Sequence, residues 1–400
     1  MATIAVLGTL DSKGEEHGFV AGLIRERGHT ALLIDVGSGG PPVVTPDITR
    51  EQVAAAAGLD LAPLIEKKDR GECVVAMSKA APVLLAQLAA EGKIDGVISL
   101  GGGGGTAIGT AAMRALPLGF PKLMVSTLAS GNTAHYLGTK DIVMVPSIAD
   151  VAGLNRLSRV IFSRAAGAIC GMVEAPIETA SAKPLVVASM FGNTTACVTE
   201  AKRILEEAGY EVLVFAATGA GGRSMEALIE SGMVSGVLDL TTTEWADELV
   251  GGVLNAGPER MDAAAKAAVP VVISPGCLDM VNFGEMASVP EKFTGRNFYI
   301  HNPQVTLMRT TPEECAALGR IIAQKANACT APAAILIPRK AISVISAAGQ
   351  PFHDAAADDA LFSAIRAHST KPVEEFDVEI NDPAFARACA ERLLELMQKS

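Results

Sequence analysis

The chain has 400 residues, 49% of them apolar and 19% charged, with 39 glycines and 21 prolines. That composition excludes a disordered or collagen-like chain, and at roughly 100 to 200 residues per domain it predicts two domains. Forty-four Asp plus Glu against 33 Lys plus Arg leave a net charge of -11, which repels phosphate backbones and anionic lipid, so neither nucleic acid nor membrane is an expected partner.

Aromatics are only 4% of the residues, so the apolar content is the Ala, Val, Leu and Ile of parallel sheets covered by helices. The seven cysteines are scattered and never spaced C-x-x-C, which argues against disulfides or a zinc knuckle and for a reducing cytoplasm. No apolar run reaches the roughly 18 residues that span a bilayer, and the chain enters Ile4-Ala5-Val6-Leu7 without a basic leader.

Ile4 to Leu7 predicts a strand and Glu15 to Arg27 the helix after it, with Ser12-Lys13-Gly14-Glu15 matching a capping box and Gly28 stopping the helix. Thr30 to Val36 is a second strand. Within Pro41 to Gly71 a helix begins at Thr49-Arg50-Glu51-Gln52, and Ser78 to Ala90 is a helix leading into the strand Gly96 to Leu100. Leu123 to Val125 and Ile142 to Val145 are further strands, and Asn155 to Met172 a helix. The plan then repeats. Val6 to Asp35 lines up with Val187 to Ala216, Asp95 to Leu100 with Ser235 to Leu240, and Pro121 to Val125 with Pro270 to Ser274. The expected fold is α/β: two Rossmann-like, doubly wound parallel-sheet domains related by internal duplication, residues 1–178 and 183–400, with a cleft between them and a boundary in Ala175 to Pro184.

Ligands of open parallel sheets bind beyond the carboxyl ends of strands. There the first half places Gly101, Gly102, Gly103, Gly104, Gly105 and Thr106 between a strand and a helix. Bare amides at a helix N-terminus suit a phosphate, although no Walker A motif follows and the first loop lacks the second glycine of a dinucleotide fingerprint. A mononucleotide is therefore expected. Gly8, Thr9, Asp11, Ser12 and Lys13 belong to its site, with Asp35 placed for a ribose hydroxyl. Lys13 is either beside the phosphates or solvated. Ser126, Thr127, Ser130, Gly131 and Asn132 add hydroxyls and amides, and Asp150, with Asp141, either holds a hydrated magnesium or serves as a cap.

The second half offers a different set for a small anionic metabolite. Asn193, Thr194, Thr218, Gly221, Thr242, Thr243, Asp279 and Asn282 form the polar lining, and Arg223, Arg296 or Arg309 grips the anion. Glu244, His301 and His353 are the proton-transfer candidates. Cys277 is either a nucleophile or a small buried residue, and no nucleophile elbow, zincin or kinase signature is present.

Val6-Leu7-Gly8-Thr9-Leu10-Asp11-Ser12-Lys13-Gly14-Glu15, with Ser99 to Thr106, Phe215 to Glu226, Ser274 to Phe283 and Gly349 to Asp354, resembles a Tm-one-like ATP-binding family. That uncharacterised protein family also forms the N-terminal part of a plant tobamovirus-resistance protein. The resemblance covers essentially the whole chain. It implies a two-domain α/β homodimer or higher homo-oligomer that binds ATP through its first half. An ATP- and magnesium-dependent enzyme acting on a small organic acid is the expected function. A non-catalytic nucleotide-gated protein and a nucleotide-independent hydrolase or lyase are its rivals.

Overall fold

A computed structural model describes residues 1–67, 69–176 and 183–399, and the chain divides into two compact units, Met1–Thr179 and Ala180–Ser400. Residues 177–182 of the expected boundary lie outside the described residues.

The first unit runs β1 Thr3–Gly8, α1 Gly14–Glu26, β2 Thr30–Asp35, α2 Arg50–Ala56, α3 Ala62–Glu66, α4 Arg70–Ala90, β3 Gly96–Gly101, α5 Gly103–Arg114, β4 Lys122–Ser126, α6 Ala134–Leu137, β5 Val143–Pro146 and α7 Arg156–Glu174. Its five strands are all parallel, in the order β2-β1-β3-β4-β5. Helices cover both faces, so strands read as continuous apolar runs, yet the two-residue side-chain period still sorts them. Ala5 and Leu7 join the core under α4 and α5, while Ile4 and Val6 join the core under α1 and α7.

The second unit runs β6 Leu185–Met190, α8 Thr195–Glu207, β7 Glu211–Ala216, α9 Ala220–Glu230, β8 Val234–Thr241, α10 Glu244–Val250, α11 Ala263–Lys266, β9 Val271–Gly276, β10 Met280–Phe283, β11 Phe298–Asn302, β12 Val305–Arg309, α12 Pro312–Ala328, β13 Ala333–Pro338, α13 Ala355–His368, β14 Val373–Phe376 and α14 Pro383–Met397. The parallel sheet has the order β7-β6-β8-β9-β13-β14. Its first five strands repeat the order of the first unit, as the aligned segments predict. A three-stranded antiparallel sheet, β10-β12-β11, is extra. Arg309 and His301, candidates of the second half, both lie on this small sheet.

Two local expectations also change. Ser12 does not cap α1: its hydroxyl bonds the Thr9 hydroxyl at 3.1 Å, and Lys13, with no side-chain cap, precedes the helix. Helix α4 starts eight residues earlier than the apolar pattern predicts, because Asp69 caps it through the Glu72 amide at 3.0 Å. Against the expectation that no apolar run is long enough, α4 is long and apolar enough by length and composition to cross a membrane. Met77, Ala81, Leu84 and Leu85 on this helix are buried in the core of the unit.

Candidate functional site

In the first unit the strand order reverses between β1 and β3, and the helices that follow them go to opposite faces. The chain parts there and leaves a crevice beyond the strand ends. A cavity of about 1000 Å³ opens at that point. Thr9, Asp11, Ser12 and Lys13 line it from the loop after β1, and Gly101 to Gly105 from the end of β3 and the start of α5. Thr127, Ile148 and Asp150 come from the loops after β4 and β5.

The glycines are less of a loop than the sequence suggests. Gly101 ends β3, Gly102 caps α5 with extended backbone and no side-chain bond, and Gly103, Gly104 and Gly105 form the first helical turn. The first intrahelical bond, from the Thr106 amide to the Gly102 carbonyl, is 2.8 Å long. The amides of residues 103 to 105 consequently have no acceptor within the helix. Helix α1 also begins without a side-chain cap, so both helices leaving the reversal point have open positive ends.

Why glycine stands at these positions differs from one to the next. A Cβ on Gly101 would lie 2.8 Å from the Gly105 Cα, so the fold requires glycine there. At Gly103 a Cβ would meet nothing within 4 Å, and none of the five glycines has positive φ. Glycine destabilises a helix by up to about 1 kcal/mol relative to alanine. At Gly103 neither backbone strain nor packing explains that loss.

The cavity's charges are of two kinds. Lys13 and Arg70 line it, and neither is in an ion pair among the described residues. Asp11 is tied down: its Oδ2 accepts from the Gly39 amide at 2.6 Å, and its carboxyl group would meet a Cβ on Gly37 at 2.7 Å. Asp150 is exposed at the cavity wall. Among the described residues no cluster of three His, Cys, Asp or Glu has a metal-holding arrangement.

Several expected ligand residues have other work. Asp35 is buried, and its Oδ1 accepts from the Leu10 amide at 3.0 Å and the Gly37 amide at 2.8 Å. It fixes the loops after β1 and β2 rather than facing the cavity, and burial raises its pKa. A Cβ on Gly8 would meet the His17 ring at 2.0 Å, so that glycine makes room for His17. His17 itself bonds the Lys13 carbonyl at 2.6 Å, and burial lowers its pKa. Thr106 and Ser126 are buried and share a 2.7 Å hydroxyl bond beneath the glycines. Ser130, Gly131 and Asn132 are exposed and outside the cavity lining, and Asn132 accepts from the Ala134 amide at 3.1 Å. Asp141 pairs with the fully buried Lys122 at 2.8 Å, which removes it from any site shared with Asp150.

In the second unit the residues expected to do chemistry form a buried frame. Glu244 is 1% exposed, and its Oε1 accepts from the Gly219 amide at 2.6 Å and the Gly222 amide at 3.1 Å. Its Oε2 accepts from Arg260 Nε at 2.7 Å. Arg260, also 1% exposed, donates to both Asp239 oxygens at 2.6 and 2.7 Å and to Glu226 at 3.1 Å. Glu244 is therefore a structural anion with both oxygens engaged, not a proton-transfer group. It lines up with Gly104 of the first unit, so the carboxylate stands where the first unit has a bare glycine.

Arg309 is clamped as well, donating to Phe352 O at 2.8 Å and Asp358 at 2.6 Å. Arg296 grips Glu314 through two bonds, of 3.0 and 2.7 Å, and Arg223 is exposed and donates to Asn255 O at 3.0 Å. Thr194, Thr242 and Thr243 are buried; Thr194 bonds Thr241 and Thr242 bonds the Ser274 carbonyl. A Cβ on Gly221 would lie 1.8 Å from the Ala216 carbonyl, so close packing of α9 on β7 requires that glycine. Asn193 is half-buried and its carbonyl accepts from Asn381, and Thr218 bonds the Ala216 carbonyl.

Cys277 is buried with φ of 59°, and burial raises its thiol pKa well above the usual value, which fits a packed residue and not a nucleophile. Asp279 is fully buried, accepts from Ser343 at 2.7 Å, and is pushed up to about 6 by burial. His301 is exposed on β11. His353 lines a separate cavity of about 360 Å³ with Arg339, Lys340 and Arg366.

Asn282 donates from its amide and its side chain to Asp247 at 2.6 and 2.8 Å. Burial first, and then the nearby Glu244 charge, push the Asp247 carboxyl up to about 7. The folded chain thus holds this proton more tightly than the unfolded chain, whose value is near the ordinary 3.8. The proton's contribution to stability is fully present below about pH 4 and is lost as pH rises towards about 7. Asp247→Asn removes that slope, so the variant gains on the wild type between pH 5 and pH 8 in urea midpoints. A difference that stays constant across that range contradicts the assignment.

The family comparison fits the two-unit division. The N-terminal domain model of the Uncharacterised protein family UPF0261 matches residues 2–178, and the C-terminal domain model matches residues 183–397. The chain belongs to this family. A UPF0261 protein of Clostridium tetani is 50% identical and is covered over 99% of each chain. The ToMV resistance protein Tm-1(GCR237) of Solanum lycopersicum is 37% identical over 98% of this chain, which spans 56% of the tomato protein. A crystal structure of Acinetobacter baumannii MurG aligns over 100% of this chain and 96% of that one at 12% identity. Its TM-score of 0.22 carries no argument about fold.

In this UPF0261 chain the sequence reading missed Arg70, Val74 and Ile65 at the cavity and Arg260 in the buried frame. Asp69-Arg70-Gly71-Glu72 did carry a signal for the first, an Asp followed three residues later by Glu before an apolar helix. Arg260 carried none, because it follows Gly257-Pro258-Glu259 and no strand.

Proposed function

We propose that the first unit of this UPF0261 protein binds ATP, with the polyphosphate held at the open N-terminus of α5. What carries the reading is Gly103: a destabilising residue at a helix start, where neither strain nor packing calls for it and where a Cβ would meet nothing within 4 Å beyond its chain neighbours and its own helix backbone. The amides of residues 103 to 105, the cations Lys13 and Arg70 and the hydroxyls of Ser12 and Thr127 bracket the phosphates. Asp150 holds magnesium through its waters, since that ion needs only one or two carboxylates beside substrate phosphates. A cavity of about 1000 Å³ accommodates a whole nucleotide. Titrating the protein with ATP and magnesium in a calorimeter gives saturable binding at one site per chain; absence of heat and of any rise in melting temperature contradicts the reading.

One observation favours nucleotide-dependent binding over turnover of an organic acid. Glu244, Arg296 and Arg309 have their charged groups engaged by other protein groups. His301→Ala and His353→Ala are expected to leave ATP affinity unchanged within about twofold, as both lie outside the first unit. ADP released steadily in the presence of small carboxylic acids, and abolished by either substitution, argues for turnover instead.

A further inference from the structure

The second unit has a cavity of its own, of about 360 Å³, between the carboxyl end of β13 and one face of α13. That is where open parallel sheets receive ligands. Arg339 and Lys340 follow the last residue of β13, and their amides are fixed by the Phe376 and Val378 carbonyls at 2.8 and 3.0 Å. Asp358, Asp359 and Arg366 reach the cavity from α13, and His353 from the turn before it. Arg260, Arg296 and Arg309 are all clamped by hydrogen bonds, but the side chains of Arg339 and Lys340 are not. The nearest carboxylate oxygens, on Glu375 and Asp377, lie 3.7 and 3.6 Å away, beyond hydrogen-bond range. Asp358 is the opposite case: its side chain is only 9% exposed. Its Oδ1 accepts from Arg309 at 2.6 Å, while its Oδ2 has no donor among the described residues and is not sealed from solvent.

Arg366 donates to Glu375 at 3.0 Å and to Ser363 at 2.7 Å, and lies 3.7 Å from Asp359. Three cations, Arg339, Lys340 and Arg366, therefore stand beside three carboxylates, Asp359, Glu375 and Asp377. A ligand of one charge finds no excess of the opposite sign there. What the cavity does have is polarity with depth, a buried carboxylate inside and cations with 57% exposed side chains at the mouth. A carboxylate held out of water with one oxygen unpaired calls for a donor. A plain anion brings none, and a plain amine leaves the two cations unmatched; a molecule with both groups satisfies both ends. We propose that this cavity binds a free amino acid, with its ammonium on Asp358 Oδ2 and its carboxylate on Arg339 and Lys340. The volume suits so small a molecule. His353, whose Nδ1 lies 3.3 Å from the Ser346 carbonyl, leaves Nε2 free at the same wall. The site lies in the second unit, so it stands or falls independently of the phosphate reading.

Thermal melts of the full chain with each of the common amino acids, at about 10 mM so that a site with a Kd of about 1 mM is filled, test the proposal. At least one is expected to raise the melting temperature and to bind saturably in a calorimeter; no rise with any of them overturns the proposal. The matching 2-hydroxy acid, which lacks the ammonium, and the matching amine, which lacks the carboxylate, are each expected to bind about tenfold or more weakly. Equal binding of either analogue overturns the two-ended recognition. The double substitution Arg339→Gln, Lys340→Gln removes two side chains that make no hydrogen bond, so the melt of the free protein is expected to stay in place while affinity falls about tenfold or more. Undiminished affinity overturns the placement. Where that variant melts low, the His353 ring signals of the wild type, assigned through His353→Gln, serve instead: they shift as the amino acid saturates, and signals that stay in place overturn the placement.

Discussion

Gly103→Leu is expected to abolish ATP binding, lowering affinity about a hundredfold or more, in a protein whose melting temperature is unchanged or higher. Leucine is a better helix former than glycine, and at this position its Cβ lies more than 4 Å from every atom beyond its chain neighbours and its own helix backbone. Its side chain fills the space where the phosphates are proposed to lie. Gly103→Ala is intermediate. Gly101→Ala fails differently, because its Cβ would press within 2.8 Å of the Gly105 backbone and destabilise the fold itself. Opposite effects on stability at two glycines only two residues apart separate a site kept clear for a ligand from a turn kept tight for packing. Calorimetric titration of each variant, with its thermal melt, checks the pair.

The second large effect is expected at Arg260→Ala. That side chain is 1% exposed and neutralises Asp239, Glu244 and Glu226 together. Removing it leaves three carboxylates facing one another out of water. Breaking a buried pair by deleting one partner costs about 3–5 kcal/mol, enough to lower the melting temperature by roughly 6 to 20 °C in a unit of this size. Glu244→Gln, which keeps an acceptor for the Gly219 and Gly222 amides, is expected to be milder. Were Glu244 instead an exposed proton-transfer group, neither its replacement nor that of Arg260 would move the melt appreciably; differential scanning calorimetry decides.

The fold was legible where helices bury both faces of a strand. Ile4-Ala5-Val6-Leu7 and Gly96 to Leu100 read as unbroken apolar runs for that reason, and the three aligned segments correctly predict the repeated strand order. The antiparallel sheet was not legible. Its strands have four or five residues each, and β10 is separated from β11 by two short 3₁₀ turns, so no alternation lasts long enough to register.

At the site, the glycines and Lys13 were legible because they follow β3 and β1 in chain order. Asp35, Gly8 and Glu244 follow strands too, and were misread for one physical reason. A polar residue at a strand end looks the same whether it faces a ligand or fastens a neighbouring loop. What distinguishes them is the partner, Leu10 and Gly37 for Asp35, His17 for Gly8, Arg260 for Glu244, and partners brought together by folding leave no fixed spacing in the chain.

The central claim, that the open amides at the start of α5 hold a nucleotide's phosphates, is tested most directly by selective ¹⁵N-glycine labelling and titration with ATP and magnesium. The account predicts that the Gly103, Gly104 and Gly105 amide signals, assigned through glycine substitutions, shift on saturation. Signals that stay in place while ATP binds, or while it fails to bind, contradict it.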